Sequence, residues 1–466
     1  MGPRGVHRDP GAVPGEAIVE AKTLATAGRI VDAWLPLKLA YDRVPGASVG
    51  ITHRGKLVYA NGFGLADVEN GVPVTPKTAF RIASNSKTFT AVAIMQLVER
   101  NKLRLDDRVS SYLPWFKATA KGKDAANITI RQTLAHHAGV FRDGVTPHWN
   151  DDDFPTMTAL RRSVSKEAVT FENALRFKYS NFGFALLGAI IAKVTRSPYE
   201  DYMTEHVIRP LGMRRTAPDL TEASQKWLAA GYSRPIPGLE RERFEHCPTN
   251  AYASATGFLS TVTDLAKYLN ALSLSRNTTT LIDRESKKEL FHTHWHGGDE
   301  GSYGLGFAIT FTHRKKIIGH GGGFPGFITR VSLNVDDDVG VIVLTNSNDS
   351  PAGFIAEGIH DMIHRLSDPS RDYFKGTRIA GARFEGAYRS RWSDQIVVST
   401  GNNLVAFAPQ TNAPLREGTL LRPATASSFV MDSPFPTDSP GERARFLGGG
   451  TRAQRLTWGS QPYDRI

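Results

Sequence analysis

In the first 366 residues, stretches whose apolar residues have the spacing of a helix are interspersed with stretches that have the spacing of a strand. Helical patterns lie at 16–35, 88–103, 182–195 and 352–366, and β-patterns lie at 46–64 and between 303 and 347. The pattern at 88–103 is apolar on nearly every side, which predicts a buried helix. The order of elements predicts one α/β (α+β) domain over residues 16–366. Its sheet is assembled from both ends of the chain, and a helical region is inserted between them.

The pattern changes near the C-terminus. Short β-runs recur at turn-sized intervals over residues 377–466, which predicts a small antiparallel β-barrel or sandwich of lipocalin-like type. Residues 367–376 read as a linker. Residues 1–15 are rich in glycine and proline and are predicted to be disordered.

Composition narrows the class of protein. The 466 residues are 40% hydrophobic and 22% charged, as in ordinary globular proteins. The net charge is +11, but lysine and arginine are spread along the chain instead of gathering on one face, so we expect no nucleic-acid partner. No run of eighteen apolar residues predicts a membrane span, and the N-terminus lacks the apolar core of a secretory signal. With Cys247 as the one cysteine, the fold needs no oxidising compartment, and we expect a cytoplasmic protein.

A first candidate for chemistry is the stretch Ser84-Asn85-Ser86-Lys87. Residues three apart share one face of a helix, so the Lys87 amine can reach the Ser84 hydroxyl. A serine becomes a nucleophile when a base takes its proton, and a lysine serves as that base when burial lowers its pKa. Serine is also a preferred helix cap, and the same spacing recurs at Ser163–Lys166 without a comparable buried helix after it. The spacing alone is therefore a weak signal.

Two further clusters complete a possible site. Tyr179-Ser180-Asn181 precedes an apolar helix. A tyrosine with a lowered pKa can act as general base, and an asparagine amide can orient a lysine and a substrate carbonyl. In the stretch 319–327, His320 is followed by three glycines, which leave room for a substrate to lie along the strand and for a backbone N–H to face an oxyanion. The alternatives are a core tyrosine followed by a helix cap, and a glycine-rich turn.

The three motifs S-x-x-K, Y-x-N and H-x-G, in this order, resemble those of serine hydrolases related to class C β-lactamases and penicillin-binding proteins. That superfamily includes D-aminopeptidases and family VIII carboxylesterases. The resemblance covers about residues 20–366 and extends to TLAHHAG at 133–139, RPLGM at 209–213 and ATGFLSTVTDLAKY at 255–268. It implies a β-lactamase/transpeptidase-like domain, in which helices flank an antiparallel sheet beside a helical region.

The resemblance also implies roles for individual residues, without a metal or cofactor. Ser84 is the implied nucleophile, Lys87 its proton partner and Tyr179 the general base. The residues implied in substrate binding are Asn181, His320 and Gly322, and the implied oxyanion hole is formed by the N–H groups of Ser84 and Gly323.

One departure from the β-lactamase pattern bears on the substrate. Those enzymes usually carry K-T-G where this chain has His320-Gly321-Gly322. Lysine offers a permanent cation to a substrate carboxylate, whereas histidine near pH 7 is mostly neutral. The change favours small-molecule esters, or amides and peptides whose reacting end lacks that anion. In related proteins the barrel often lies near the site entrance, so we expect the region after residue 375 to limit substrate size.

The expected function is a serine hydrolase that forms an acyl-enzyme on ester or amide bonds, as a carboxylesterase or a D-amino-acid amidase or peptidase does. The alternatives are a β-lactamase or D-Ala-D-Ala carboxypeptidase and, from another class, a non-catalytic penicillin-binding-like ligand sensor. A homo-oligomer is one possible state.

Other motifs receive a structural interpretation. GASVG matches the nucleophile elbow of α/β-hydrolases around Ser48, but a β-hairpin follows it instead of a helix. HTHWH could place three histidines on one face, yet no carboxylate or cysteine stands at a typical metal-ligand distance. The adjacent His136 and His137 are interpreted as structural, and Cys247 as structural or incidental.

Overall fold

The structure is a computed structural model of the chain. It describes residues 19–116, 127–164, 169–170, 174–276, 278–297, 301–435 and 439–466, and the backbone of 119–120 and 123–124. The N-terminal stretch 1–15 and Lys166 of the second S-x-x-K copy lie outside the described residues.

Helices and strands alternate along the described chain. The helices are α1 Ala21–Tyr41, α2 Ser86–Glu99, α3 Val109–Tyr112, α4 Ile130–Leu134, α5 His148–Asp151, α6 Met157–Ser163, α7 Asn181–Thr195, α8 Tyr199–Met203, α9 Glu222–Gln225, α10 Val262–Leu272, α11 Arg284–Phe291, α12 Ala352–Ser367 and α13 Pro414–Glu417. The first strands are β1 Gly46–His53, β2 Lys56–Asp67, β3 Val72–Pro73, β4 Phe80–Arg81, β5 Thr119–Ala120, β6 Lys123–Asp124, β7 Gly231–Tyr232, β8 Arg243–Phe244 and β9 Leu259–Ser260. The later strands are β10 Trp295–His296, β11 Ser302–Tyr303, β12 Ala308–Thr312, β13 Lys315–Phe324, β14 Phe327–Asn334, β15 Val339–Thr345, β16 Gly386–Arg389, β17 Asp394–Ser399, β18 Leu404–Phe407, β19 Thr419–Pro423, β20 Ser428–Asp432, β21 Arg443–Leu447, β22 Arg455–Trp458 and β23 Gln461–Arg465.

The main sheet is built from both ends of the first 366 residues, as the sequence predicts. Its order is β10-β11-β12-β13-β14-β15-β1-β2-β3, and the N-terminal strand β1 pairs antiparallel with both β15 and β2. In that register Val49 lies opposite Val343 on one side and Asn61 on the other. The predicted β1–β2 hairpin turns at Arg54 and Gly55, both with positive φ.

Two hydrophobic clusters cover opposite faces of this sheet. Along β15, Ile342 and Leu344 belong to the cluster that contains α2 and α7, whereas Val341 and Val343 belong to the cluster that contains α1 and α12. The split follows from the alternation of side chains along a strand. The sheet is therefore buried on both faces, with α2 on one side and α1 and α12 on the other.

Helix α2 is the buried helix that the sequence predicts. Its residues from Ser86 to Leu97 are all buried. Phe89 stacks between the rings of Phe258 and Tyr268, at centroid distances of 4.6 and 3.9 Å. Among the helices in the described part of the chain, none has the length and apolarity to cross a membrane.

The C-terminal strands β16–β23 form a closed antiparallel barrel, so the barrel alternative is confirmed over the sandwich. The barrel packs on the α1 and α12 side, where Ile396 and Val398 join the same hydrophobic cluster as α1. The Trp34 indole N–H donates to the Thr411 carbonyl at 3.2 Å. The barrel thus lies behind the sheet, on the face away from α2.

The segment predicted as a linker is well anchored. Ser367 ends α12, and Asp372–Phe374 form a 3-10 turn. Tyr373 is buried, and its hydroxyl donates to the Leu415 carbonyl at 3.2 Å. The segment is therefore held between α12 and the barrel.

Candidate active site

Ser84 sits in a 3-10 turn, Ala83–Asn85, that leads directly into α2. The turn is anchored by Ser86, whose hydroxyl donates to the Ala83 carbonyl at 2.5 Å and accepts from the Phe258 N–H at 3.0 Å. Ala83 has φ +48°, in the left-handed region that side chains other than glycine seldom adopt. The neighbours of Ser84 are buried, while Ser84 itself is partly exposed. Its hydroxyl is therefore the accessible group of a rigid turn.

Lys87, one helical turn later, brings its amine to Ser84. The side chain is fully buried. Its Nζ donates to Ser84 Oγ at 3.1 Å, to Asn181 Oδ1 at 2.7 Å and to the Ala255 carbonyl at 2.8 Å. Burial lowers the pKa of Lys87 well below its usual value. Burial thus favours loss of a proton from this amine, and once neutral the amine can accept the Ser84 proton through the same 3.1 Å contact.

Tyr179 approaches the same hydroxyl from another element. Its phenol O–H donates to Ser84 Oγ at 2.7 Å. Burial raises the pKa of Tyr179 above the value of free tyrosine. This direction is opposite to the lowered pKa that a resting phenolate base requires, because removing water from around the phenolate disfavours the charge. The resting proton therefore stays on the phenol.

The start of α7 positions the next predicted site residue. Ser180 caps the helix, since its hydroxyl accepts from the Gly183 N–H at 2.7 Å. Asn181 is the first residue of the helix, and its Oδ1 meets the Lys87 amine. Ser180 is therefore the helix cap of the alternative interpretation, and the next residue, Asn181, contacts Lys87.

Strand β13 supplies His320 beside the cluster. Its Nδ1 donates to the Gly321 carbonyl, so Nε2 is the acceptor for the Tyr303 hydroxyl at 2.9 Å. Burial first, and the nearby Lys87 second, lower the pKa of His320 to about 3. His320 is therefore a neutral, internally bonded residue at neutral pH.

The glycines after His320 differ from one another in their surroundings. A Cβ on Gly322 would lie 2.2 Å from the Ile82 carbonyl and 2.5 Å from Thr329 Oγ1, so this glycine lets the strand press against the serine turn. Gly323 is exposed, with Ile328 Cδ1 at 3.5 Å as the neighbour of its Cβ position. Gly322, predicted to bind substrate, thus faces the serine turn, and Gly323 is the more open position.

We expect Gly322→Ala to disturb the site and Gly321→Ala to leave it intact. The added methyl at 322 collides with backbone, whereas the same methyl at 321 has its nearest neighbour at 3.9 Å. Overpacking of this kind costs about 1–3 kcal/mol. Thermal unfolding of both variants tests this expectation, and equal melting temperatures would contradict it.

Three residues at the site escaped sequence reasoning. Asp143 accepts from Asn181 Nδ2 at 2.6 Å, and Tyr303 donates to His320. His136 is buried, accepts from the Ser180 N–H at 3.1 Å and places its ring 4.3 Å from the Tyr179 ring. The one sequence signal for His136 was its place in TLAHHAG, and no spacing pattern links Asp143 or Tyr303 to Ser84.

Apart from His136, which packs against Tyr179, the motifs given a structural interpretation lie outside this cluster. Ser48 is buried within β1 and donates to the Thr75 carbonyl at 3.3 Å, so it is not at a strand-to-helix elbow. Ser163 ends α6 and donates to the Leu160 carbonyl at 2.8 Å. Burial raises the pKa of the Cys247 thiol to about 11. Within the described residues, no three His, Cys, Asp or Glu side chains form a group that could hold a metal ion.

The family follows from a match over most of the chain. Residues 31–362 match the family model described as Beta-lactamase. The chain belongs to the beta-lactamase family. Protein flp of Staphylococcus aureus (strain MW2) is 28% identical over 337 residues, which are 72% of this chain and 66% of that protein. The match thus spans slightly less than two thirds of that relative.

Two solved structures share the beta-lactamase fold with this chain. The octameric penicillin-binding protein homologue from Pyrococcus abyssi has 26% identity and a TM-score of 0.62, over 91% of this chain and 97% of that one. EstCE1, a hydrolase with promiscuous acyltransferase activity, has 21% identity and a TM-score of 0.62, over 74% of this chain and 99% of that one. Family membership supports a serine hydrolase in general terms.

The buried amine predicts a pH dependence for a hydrolase of the beta-lactamase family. Protonated Lys87 cannot accept the serine proton, so activity should fall as pH falls through the lowered pKa of Lys87 and should be flat above it. The kcat/KM of p-nitrophenyl acetate hydrolysis, corrected for the background rate, measures this profile. Activity that rises on acidification would contradict the assignment.

Proposed function

We propose that the domain of residues 16–366 is a serine hydrolase that forms an acyl-enzyme at Ser84. One observation carries the proposal: Ser84 Oγ lies within hydrogen-bond distance of the buried Lys87 amine, at 3.1 Å, and of the Tyr179 phenol, at 2.7 Å. These distances are within the reach that proton transfer needs.

In the proposed reaction, neutral Lys87 takes the Ser84 proton while Oγ bonds to the substrate carbonyl carbon. The Tyr179 phenol protonates the leaving group as its bond to the carbonyl breaks, and the Lys87 ammonium returns a proton to the phenolate. Water then attacks the acyl-enzyme, a proton passes from the water to Ser84 Oγ, and the acid leaves. The raised pKa of Tyr179 suits a proton donor.

The N–H groups of Ser84 and Gly323 are the proposed oxyanion hole. The Ser84 turn is pressed against β13 at Gly322, which brings the two backbones together. Contacts of this type contribute about 3–4 kcal/mol each to the stability of the transition state.

The proposed substrates are esters, or amides and peptides without a carboxylate at the reacting end. Support comes from His320, which is neutral and whose Nε2 is occupied by the Tyr303 hydroxyl. A substrate carboxylate beside β13 would therefore find no positive charge on His320.

A second candidate is β-lactamase or D-Ala-D-Ala carboxypeptidase activity, favoured by one cation near the site. The Arg142 guanidinium lies 5.8 Å from the Tyr179 ring centroid, and its side chain is 68% exposed. Arg142→Gln should then reduce the turnover of carboxylate-bearing substrates selectively.

A substrate panel tests the proposal. Short p-nitrophenyl esters, D-amino-acid anilides and a chromogenic cephalosporin are assayed with the wild type and with Ser84→Ala. Ester or anilide turnover that Ser84→Ala removes supports the proposal. If a fluorophosphonate labels Ser84 but no panel member is turned over, the hydrolase proposal is wrong and the ligand-sensor alternative is favoured.

We also propose that the chain forms a homo-oligomer. The support is the octameric state of the Pyrococcus abyssi homologue, whose similarity covers 91% of this chain. Light scattering coupled to size-exclusion chromatography gives the mass in solution, and a monomer at all concentrations would contradict the proposal.

A further inference from the structure

We propose that Asp143 is a positioning residue for acylation, which holds the Asn181 amide toward Lys87 and, with Arg142, sets the electrostatic environment of that lysine. The inference rests on the proposed function of Ser84. It concerns two residues on the segment between α4 and α5 that no sequence motif marks.

The Asp143 carboxylate selects one orientation of the Asn181 side chain. Asp143 Oδ1 accepts from Asn181 Nδ2 at 2.6 Å, and Asn181 Oδ1 then faces the Lys87 amine at 2.7 Å. The flipped amide would set its carbonyl against a carboxylate and its NH₂ against the amine, which is unfavourable on both sides when Lys87 is protonated. The carboxylate therefore determines which amide atom meets the lysine.

The carboxylate is itself fixed by neighbouring elements. The Trp149 indole N–H donates to the same Oδ1 at 2.9 Å. The Tyr252 hydroxyl donates to the Asp143 carbonyl at 2.7 Å, and the Phe182 N–H donates to the Arg142 carbonyl at 2.9 Å. Contacts from α5, α7 and the 3-10 turn Asn250–Tyr252 thus define the position of residues 142 and 143.

Arg142 and Asp143 carry opposite charges near one amine. The Arg142 Nε lies 3.1 Å from Asp143 Oδ2. Asp143 favours the protonated form of Lys87 and Arg142 disfavours it, whereas burial makes the larger contribution. The other titratable groups that face the amine are Tyr179 and two histidines.

Those remaining groups are uncharged near neutral pH. Burial lowers the pKa of His136 and His320 and raises the pKa of Tyr179. Arg142 and Asp143 therefore carry opposite formal charges near the Lys87 amine. Each charge can be removed separately by substitution.

The test follows the pH dependence of two reactions in the full-length protein, labelling by a fluorophosphonate and hydrolysis of p-nitrophenyl acetate. The acid limb is the part of each pH profile in which the rate falls on acidification. Asp143→Asn keeps an acceptor oxygen for Asn181 but removes the negative charge that favours protonated Lys87, so the acid limb should move to lower pH. Arg142→Gln removes the positive charge, so the limb should move to higher pH. Asp143→Ala also releases the Asn181 amide, and kcat should fall about 100-fold with little change in KM.

Asp153→Asn is the matched control, because Asp153 is an exposed carboxylate in the next loop, between α5 and α6. It should leave the profile unchanged. Limbs that do not move, or that move in the same direction in the two charge variants, would overturn the proposal while Ser84 chemistry stands. If Asp143→Ala fails to fold, the two charge variants decide the matter. A wild type that neither labels nor hydrolyses would instead overturn the proposed function.

Discussion

Ser84→Ala is expected to reduce ester hydrolysis by about 10⁶-fold, to the rate that binding and an oxyanion hole alone sustain. The substitution removes the atom on which Lys87 and Tyr179 converge. Fluorophosphonate labelling should vanish with it, since no oxygen is left to phosphonylate. Initial rates on a p-nitrophenyl ester and mass spectrometry of the labelled peptide measure the two effects.

The fold should survive this substitution. The serine turn is anchored by Ser86 and by Asn85, whose Nδ2 donates to the Ile82 carbonyl at 2.9 Å, and neither contact involves the Ser84 hydroxyl. Ser163→Ala is the matched control, because it removes the serine of the other S-x-x-K copy and should keep full activity. Wild-type rates in Ser84→Ala would exclude the mechanism.

Tyr179→Phe is expected to cost about 10²–10⁴-fold in kcat, the usual range for loss of a general acid or base. The phenylalanine ring keeps the packing against His136 and loses only the hydroxyl 2.7 Å from Ser84 Oγ. Leaving groups of low pKa need little protonation, so the loss should be smaller for p-nitrophenyl esters than for anilides. Parallel assays of the two substrate types measure this difference.

Tyr199→Phe is the control for Tyr179→Phe. It removes a buried tyrosine hydroxyl that does not contact Ser84. The Tyr199 hydroxyl is buried and lies 2.7 Å from Thr90 Oγ1, away from Ser84. Its loss should lower the melting temperature with little change in kcat. A Tyr179→Phe variant as active as Tyr199→Phe would remove Tyr179 from the reaction.

Local pattern was enough to predict several features of this protein. The β-patterns in 46–64 and 303–347 predicted strands of the main sheet, whereas the burial of β1 and β15 on both faces became visible in the structure. The spacing of Ser84 and Lys87 predicted that the amine reaches the hydroxyl, and it does so because the 3-10 turn Ala83–Asn85 continues directly into α2. The sequence predicted either a barrel or a sandwich for the C-terminal region. The two differ in whether the first strand, β16, pairs with the last, β23, and the sequence of a single strand does not determine that pairing.

Tertiary contacts decided the rest. The direction of the Tyr179 pKa shift depends on burial, which a Y-x-N motif does not encode. Gly322 has its role because a distant segment, at Ile82, presses on it. Asp143 reaches Asn181 across 38 positions of the chain. The expectation that the barrel borders the site entrance is not met, because α1 and α12 offer it an apolar face behind the sheet.

One apolar cluster contains residues of α1, α12 and the barrel, so it joins the barrel to the rest of the protein. Trp34 and Ile359 on one side, and Ile396 and Phe407 on the other, are at most 2% exposed. Cutting the chain after residue 376 would uncover this contact surface, and apolar patches of that kind promote aggregation. Heating should therefore melt the intact chain in a single calorimetric transition, and a fragment without the barrel should precipitate instead of acting as a minimal hydrolase.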